Sequence, residues 1–481
     1  MGLKKEACGV FGIRSLKGEN VSRMIYNGLL TLQHRGQEAS GIATLNENQI
    51  HLRKALGLVS SAFSDKTLSE LIGAIGIGHV RYSTVGTSTI TDAQPFKMDY
   101  PRKGIVIAHN GNLVNYVDMR NDLMRNGRNF ESTCDAEIIA HKVADELVKT
   151  KDLENAVHNY MEAAEGAYSV GMFSGERELI AFRDPNGIRP FSFGANENAA
   201  IFASESVALN INDIEETHDV KPGEMIIFHE DGRPERKLLM KRERKQCMFE
   251  YVYFSRPDSV IEGKSVYDVR IELGKNLART YASKADVIIP VPDTSRSAAE
   301  GISRETGLHV AEGLMKNRYV HRTFIMPEQR MRSLSVEMKL NPLRSILKDK
   351  HIILVDDSIV RGTTMSRIVD MVRMAGAKKV DLWITCPPVV SPCFYGIDIA
   401  THNELIAANN TVPAIEKMMK VDKLCYQTLD GLVKAIGLGD NICKACLTGE
   451  YPTCMAQKIA DKMKTQKSLV SKRYYEIDHG C

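Results

Sequence analysis

The chain has 481 residues, enough for two or three domains with sizeable cores. Hydrophobic residues make up 43% and charged residues 26%, an ordinary soluble globular balance. With 63 basic and 60 acidic residues the net charge is only +3, which gives no reason to expect nucleic acid or an anionic membrane as partner. No apolar run approaches the roughly 18 residues of a transmembrane helix. The N-terminal MGLKKEACGVFGI has lysines but no signal-peptide core. A cytoplasmic location is expected. Disulfides are rare there, so the ten cysteines call for metal binding, catalysis or plain burial.

In chain order, residues 1–7 are polar, and at Cys8 the character changes to the small, strand-like CGVFGI. Cleavage before Cys8 would put a thiol and a free α-amine on one residue. An α-amine titrates near ~8 and can take the thiol's proton. Attack on an amide carbon then needs an oxyanion site. Residues 28–41, GLLTLQHRGQEASG, read as a helix running into a polar turn broken at Gly36. GIGHVRYSTVG (76–86) reads as a strand ending in Arg81. IVIAHNGNL (105–113) reads as a strand followed by His109, Asn110 and Gly111 in a turn. Asp135 sits at the start of a helix, where Ser132 or Thr133 is the expected cap. Short alternating runs between 168 and 228, separated by DPNG and KPGE, predict further strands. The charged stretch 229–246 reads as a solvated linker at a domain boundary.

The second half begins a new apolar period at MFEYVYFSRPDS. A helix is predicted over 265–282. DVIIPVPDTSR (286–296) predicts a strand and a proline-rich turn, and the base-rich 316–344 a long loop. Ile352–Val355 is a buried-strand run followed at once by Asp356 and Asp357, then by Ser358, Arg361, Gly362, Thr363 and Thr364. A helical pattern comes next. Strand, polar turn, helix is the layout in which open α/β sheets bind ligands. Free N–H groups at the helix start suit a phosphate, and the paired aspartates suit sugar hydroxyls or a divalent cation. The Gly-Lys-Ser/Thr of a Walker A loop is absent. Cys443 and Cys446 form a CxxC, but spacing does not choose their partners among Cys247, Cys386, Cys393, Cys425 and Cys454. A cubane cluster, a structural zinc and buried free thiols all remain open on the residues alone.

Taken together, CGVFGI, QHRGQEASGI, GHVRYSTVG, HNGNL and STCDAE resemble the class II (N-terminal nucleophile) glutamine amidotransferases. IILVDDSIVRGTT resembles the ribose-5-phosphate motif of the type I phosphoribosyltransferases, and VPDTSR resembles their pyrophosphate loop. The order of both sets, with DPNGIRPF and the basic 316–344 loop, resembles the amidophosphoribosyltransferase family. The resemblance implies an α+β N-terminal nucleophile αββα glutaminase domain followed by an α/β type I phosphoribosyltransferase domain with a parallel sheet. The implied division is propeptide 1–7, glutaminase 8–240, transferase 241–460 and a basic tail 461–481.

By the same resemblance Cys8 is the nucleophile, and Asn110 and Gly111 form the oxyanion hole. Arg81 and Asp135 grip glutamine. Asp356, Asp357, Ser358, Arg361, Gly362, Thr363 and Thr364 bind phosphoribosyl pyrophosphate (PRPP). Mg²⁺ lies near Thr294, Asp356 and Asp357, with Asp293, Ser295 and Arg296 beside the diphosphate. The contexts RKQCMFEYVYF, SPCFYGID and CKACLTGEYP resemble the branch carrying a structural [4Fe-4S] cluster, which implies Cys247, Cys393, Cys443 and Cys446 as its ligands. The family further implies conversion of glutamine and PRPP to 5-phosphoribosylamine, feedback inhibition by purine nucleotides and a homotetramer. The alternative is a non-catalytic regulator that binds PRPP or nucleotides on the same fold.

Overall fold

The computed structural model describes residues 8–82, 89–317, 340–399 and 401–465. The expectations for the propeptide, the end of the Arg81 segment, most of the 316–344 loop and most of the tail lie outside these residues.

Among the described residues the first half is built on thirteen strands. In chain order they are β1 (Gly9–Ser15), β2 (Ala39–Asn46), β3 (Gln49–Leu56), β4 (Ile75–Arg81), β5 (Phe96–Met98) and β6 (Ile105–Leu113). They continue with β7 (Gly166–Ser174), β8 (Leu179–Arg183), β9 (Ser192–Ala195), β10 (Ala199–Ala203), β11 (His218–Asp219), β12 (Glu224–Phe228) and β13 (Pro234–Leu238). Two antiparallel sheets result, in the orders β11-β9-β10-β1-β4-β2-β3 and β13-β12-β8-β7-β6-β5. Strand alternation sends successive residues to opposite faces. Val10, Ile77 and Ala43 of the first sheet meet Val106, Ala108 and Phe173 of the second in one core. Phe11 and Ile13 face the other way, onto Ile25 and Leu29 of the helix Ser22–Thr31. Ile105 and Ile107 pack on Ile138, Ile139 and Tyr160 from the helices Asp135–Thr150 and Leu153–Ala163. The layers are therefore αββα.

The second half contains a four-stranded parallel sheet, Val287–Pro290, His351–Asp356, Lys379–Ile384 and Lys423–Tyr426, in chain order. Ile352–Val355 are fully buried, as a strand covered on both faces requires. The helices Val266–Thr280 and Thr363–Met374 fall where the sequence pattern places them. The Ser265 hydroxyl caps the first by accepting from the Asp268 N–H.

Three expectations are corrected. The His109-Asn110-Gly111 run is not a turn but lies inside β6, paired residue by residue with β7 from His109↔Val170 to Gly111↔Tyr168. Part of the expected solvated linker is β13, whose Glu235, Arg236 and Lys237 sit on an edge strand against β12; charged edges block further pairing. The helix at Asp135 takes Cys134 at its N-cap and has no side-chain cap from Ser132 or Thr133. Instead Glu137 reaches back to accept from the Ser132 N–H (2.8 Å) and hydroxyl (2.6 Å).

Candidate active sites

Cys8 immediately precedes β1 and is buried. Pairing of Gly9 with Val80 brings it beside the end of β4. The Cys8 thiol donates to the Tyr82 carbonyl (3.4 Å) and accepts from the Tyr82 N–H (3.5 Å). Burial, the largest influence, raises the thiol above its ordinary value; the Tyr82 bond and the Arg81 charge offset this only in part. Gly36 permits the close approach read from the sequence, since a Cβ there would lie 2.6 Å from the Val80 carbonyl carbon and 2.7 Å from Arg81 backbone atoms.

Arg81 is the last residue of β4, 2% exposed, with Nη2 3.9 Å from Asp92 Oδ2. Asp92 also accepts the Thr133 N–H at 2.8 Å, which links the Arg81 strand to the start of the Asp135 helix. Asp135 Oδ2 accepts from the Leu113 N–H (3.1 Å), and Oδ1 lies 3.1 Å from His109 Nε2. Burial by itself raises this carboxyl, but the His109 ring, the Leu113 amide and the Arg81 charge outweigh it and hold the group below its usual range. The Asn110 side chain is fully buried, and neither Nδ2 nor Oδ1 has a hydrogen-bond partner among the described residues. An unpaired buried amide is costly unless a ligand completes it. Gly111 has φ +147, and a Cβ there would lie 1.9 Å from the Ala167 carbonyl oxygen. Cys8 thus lies within electrostatic reach of Arg81 and Asp135, and Asp135 is held between His109 and Leu113, the residues of β6 that flank Asn110 and Gly111.

At the carboxyl end of the parallel sheet, Asp356 and Asp357 meet the Thr294–Ser295 turn. The Thr294 hydroxyl donates to Asp357 Oδ2 (2.6 Å), the Ser295 hydroxyl to Asp356 Oδ1 (3.2 Å) and the Ser358 hydroxyl to Asp357 Oδ1 (2.8 Å). Gly362 has φ +79 and is the N-cap of the helix that starts at Thr363, so the first free amides of that helix lie next to the aspartates. Asp293 pairs with Arg296 (2.7 Å) and with Lys316. Arg361 is engaged by Glu404 at 2.7 Å rather than turned to the aspartates.

Cys247 and Cys443 are register partners in a two-residue parallel ladder. The thiol of Cys446 lies within electrostatic range of Cys393, Cys386, Cys443 and Cys247, and all are free thiols. Burial pushes Cys247 up to about 12. Among the described residues no three His, Cys, Asp or Glu side chains converge closely enough to hold a single metal ion. Cys425 lies in a strand of the parallel sheet, and Cys454 is exposed at a helix start.

Sequence reading missed a buried ion network between the halves. Arg35 pairs with Glu205 and, with both terminal nitrogens, with Glu250 (2.8 and 3.1 Å). Arg189 pairs with the same Glu250 at 3.0 Å. These side chains are at most 1% exposed. Arg35 lies inside QHRGQ and Glu250 inside MFEYVYF; a charged residue within an otherwise apolar run was the available signal for the second.

Residues 79–210 match the glutamine amidotransferase domain family and residues 258–388 the phosphoribosyl transferase domain family. Fold, sites and domain matches define a glutamine amidotransferase joined to a phosphoribosyltransferase. The chain belongs to the amidophosphoribosyltransferase family. It is 48% identical over 461 residues to the amidophosphoribosyltransferase of Methanocaldococcus jannaschii, covering 93% of this chain and 98% of that one. It is 42% identical over 457 residues to that of Bacillus subtilis, covering 93% and 94%. A solved structure of the B. subtilis glutamine PRPP amidotransferase, complexed with ADP and GMP, superposes with a TM-score of 0.86 at 41% identity over 93% of this chain and 98% of that one.

Proposed function

We propose that this chain converts glutamine and PRPP to 5-phosphoribosylamine, glutamate and pyrophosphate, the first step of purine nucleotide synthesis. The observation that carries this reading is the presence in one chain of two full constellations: the Cys8 group and the Asp356–Thr364 turn. A chain that only sensed PRPP would have no need of the first, which argues against the regulator.

In the first half-reaction, removal of residues 1–7 frees the Cys8 α-amine, which takes the thiol proton. The thiolate attacks the glutamine amide carbon. Asn110 Nδ2 and the Gly111 N–H donate to the oxyanion, and an Asn110 amide that has no partner among the described residues supports that role. Ammonia leaves, and water hydrolyses the thioester to glutamate. The Arg81 fork receives the substrate α-carboxylate and Asp135, kept ionised by its surroundings, receives the α-ammonium.

In the second, Asp356 and Asp357 hold the ribose hydroxyls, and Ser358, Gly362, Thr363 and Thr364 hold the 5-phosphate at the helix N-terminus. Arg361, paired with Glu404 at 2.7 Å, belongs to the same phosphate-binding turn. Bound Mg²⁺ would neutralise the diphosphate, with Thr294, Asp356 and Asp357 beside it; the convergence of two carboxylates and a hydroxyl suits a hard cation that keeps most of its shell from substrate and water. Ammonia displaces pyrophosphate at the ribose C1. The transfer must be internal, because ammonia released to neutral water is mostly protonated and loses its nucleophilic lone pair.

Cys247, Cys393, Cys443 and Cys446 fit a [4Fe-4S] cluster, which would supply a structural cross-link of four thiolates. Four cysteine thiolates are the donor set of such a cluster and equally of a structural zinc, which stays the alternative. Purine nucleotides as feedback inhibitors, a homotetramer and a cytoplasmic location complete the proposal. The ADP and GMP of the B. subtilis complex support the first of these. No helix among the described residues is long and apolar enough to cross a membrane.

The test is release of glutamate and pyrophosphate by anaerobically prepared protein given glutamine and Mg²⁺, with and without PRPP. Equal release of both only with PRPP is expected; glutamate release indifferent to PRPP would sink the coupled reading. Iron and acid-labile sulfide should accompany the protein, and stoichiometric zinc without sulfide would remove the cluster.

A further inference from the structure

Two stretches of the second half of the chain reach into the surroundings of Cys8 and Asn110. The first is Glu250. Its carboxylate takes both terminal nitrogens of Arg35, while Arg35 Nε donates to the backbone carbonyl of Cys8 at 3.1 Å. The second is Phe394–Gly396. Asn112 Nδ2, two residues beyond Asn110 on β6, donates to the Phe394 carbonyl at 2.8 Å. Gly396 packs so closely on Gly111 that a Cβ there would lie 3.0 Å from the Gly111 carbonyl oxygen and 3.0 Å from Arg189 Nη2. Arg189 joins the two stretches, with Nη1 3.0 Å from Glu250 Oε1 and Nε donating to the Tyr395 carbonyl at 3.0 Å. The side chains of Arg35, Asn112, Arg189 and Glu250 are all buried.

We propose that Glu250 and the 394–396 backbone are positioning elements for the glutamine half-reaction. Glu250, acting through Arg35, sets the backbone of the nucleophile. Phe394 and Gly396 set the end of β6 that carries the oxyanion donors. The inference rests on the reading of Cys8 as nucleophile and of Asn110 and Gly111 as oxyanion donors. Its physical basis is that catalytic donors act only within a few tenths of an ångström of the developing charge. The Gly111 backbone is paired with Tyr168 of β7 on one side, and the Gly396 backbone packs against its carbonyl on the other. Arg35 cannot swing away from the Cys8 carbonyl without leaving two buried carboxylates short of a partner. The glutamine site is thus assembled by both halves of the chain, and the transferase half controls its geometry without touching glutamine.

The test uses full-length Gly396→Ala, Asn112→Ala and Glu250→Gln proteins. Each is assayed for glutamine-dependent glutamate release and for ammonia-dependent pyrophosphate release from PRPP. A positioning role lowers kcat for glutamine about tenfold or more and leaves glutamine KM and the ammonia-dependent rate within about twofold. Asn112→Ala removes the hydrogen bond to the Phe394 carbonyl and adds no atom, so it decides the matter if Gly396→Ala does not fold. Wild-type glutamine kcat in Asn112→Ala and Glu250→Gln would overturn the proposal, as would an equal loss of both activities in Asn112→Ala. Cys8→Ser run alongside separates the two levels. Retained glutamine turnover in Cys8→Ser overturns the site reading itself. Its loss, with Asn112→Ala and Glu250→Gln unchanged, overturns only the positioning role.

Discussion

Arg81 and Asp135 illustrate what single residues contribute. Neither is remarkable by type, but each is buried and held: Arg81 near Asp92, Asp135 by the Leu113 amide and beside His109. A planar guanidinium gives two parallel donors to a carboxylate, which an ammonium on a flexible stem does not. Arg81→Lys is therefore expected to raise glutamine KM by a factor of about 10–100, the equivalent of losing one charge-assisted hydrogen bond. Ammonia-dependent pyrophosphate release should stay at the wild-type rate. Steady-state kinetics with both nitrogen donors checks this, and an equal loss with either donor would contradict it.

At the scale of elements, the same local motif has different consequences in the two halves. HNG looks like a turn because Asn and Gly are turn formers, yet pairing with β7 makes it part of β6. Gly362, by contrast, does what its residue type suggests. At φ +79 it takes the left-handed conformation that lets the chain leave the His351–Asp356 strand and begin the Thr363 helix with its amides exposed. A Cβ there would also lie 2.7 Å from Ile406 Cδ1. Gly362→Ala is expected to strain that turn by about 1–3 kcal/mol, appearing as a PRPP KM raised about tenfold or more with glutamine KM unchanged. An unchanged PRPP KM would remove the turn from the phosphate site.

The whole molecule is held at its junction by buried charge, and this sets a pH dependence of stability. Burial alone raises Glu205, but His34 and Arg35 outweigh it and leave the carboxyl below its ordinary value; Glu250 is likewise lowered by Arg35 and Arg189 against its burial. A lowered carboxyl contributes stability that is complete above its unfolded value, near ~4.3, and is lost as pH falls toward the folded value. Asp184 and Asp219 behave oppositely. Burial pushes both up to about 6, so their contribution is present below their unfolded value and is lost as pH rises through about 6. The melting temperature of Glu205→Gln should lie well below wild type at neutral pH, by the ~3–5 kcal/mol that a broken buried pair costs, and should fall less steeply below about pH 4.5. Asp219→Asn should flatten the decline near pH 6. Parallel melting curves for wild type and variant across pH 3–8 would contradict either assignment.

Sequence by itself determined the strand-turn-helix at Ile352–Met374, the position of Arg81 at a strand end, the helix from Asp135 and the two domain types, because these rest on local periodicity and short motifs. The gathering of cysteines, the pairing of β6 with β7 and the Arg35–Glu250–Arg189 network were decided by tertiary structure. Glu250 is 215 residues from Arg35, and Phe394 is 282 from Asn112. No local pattern encodes a contact at that separation. It forms because burial of each charged or polar group is tolerated only when a distant partner arrives to satisfy it.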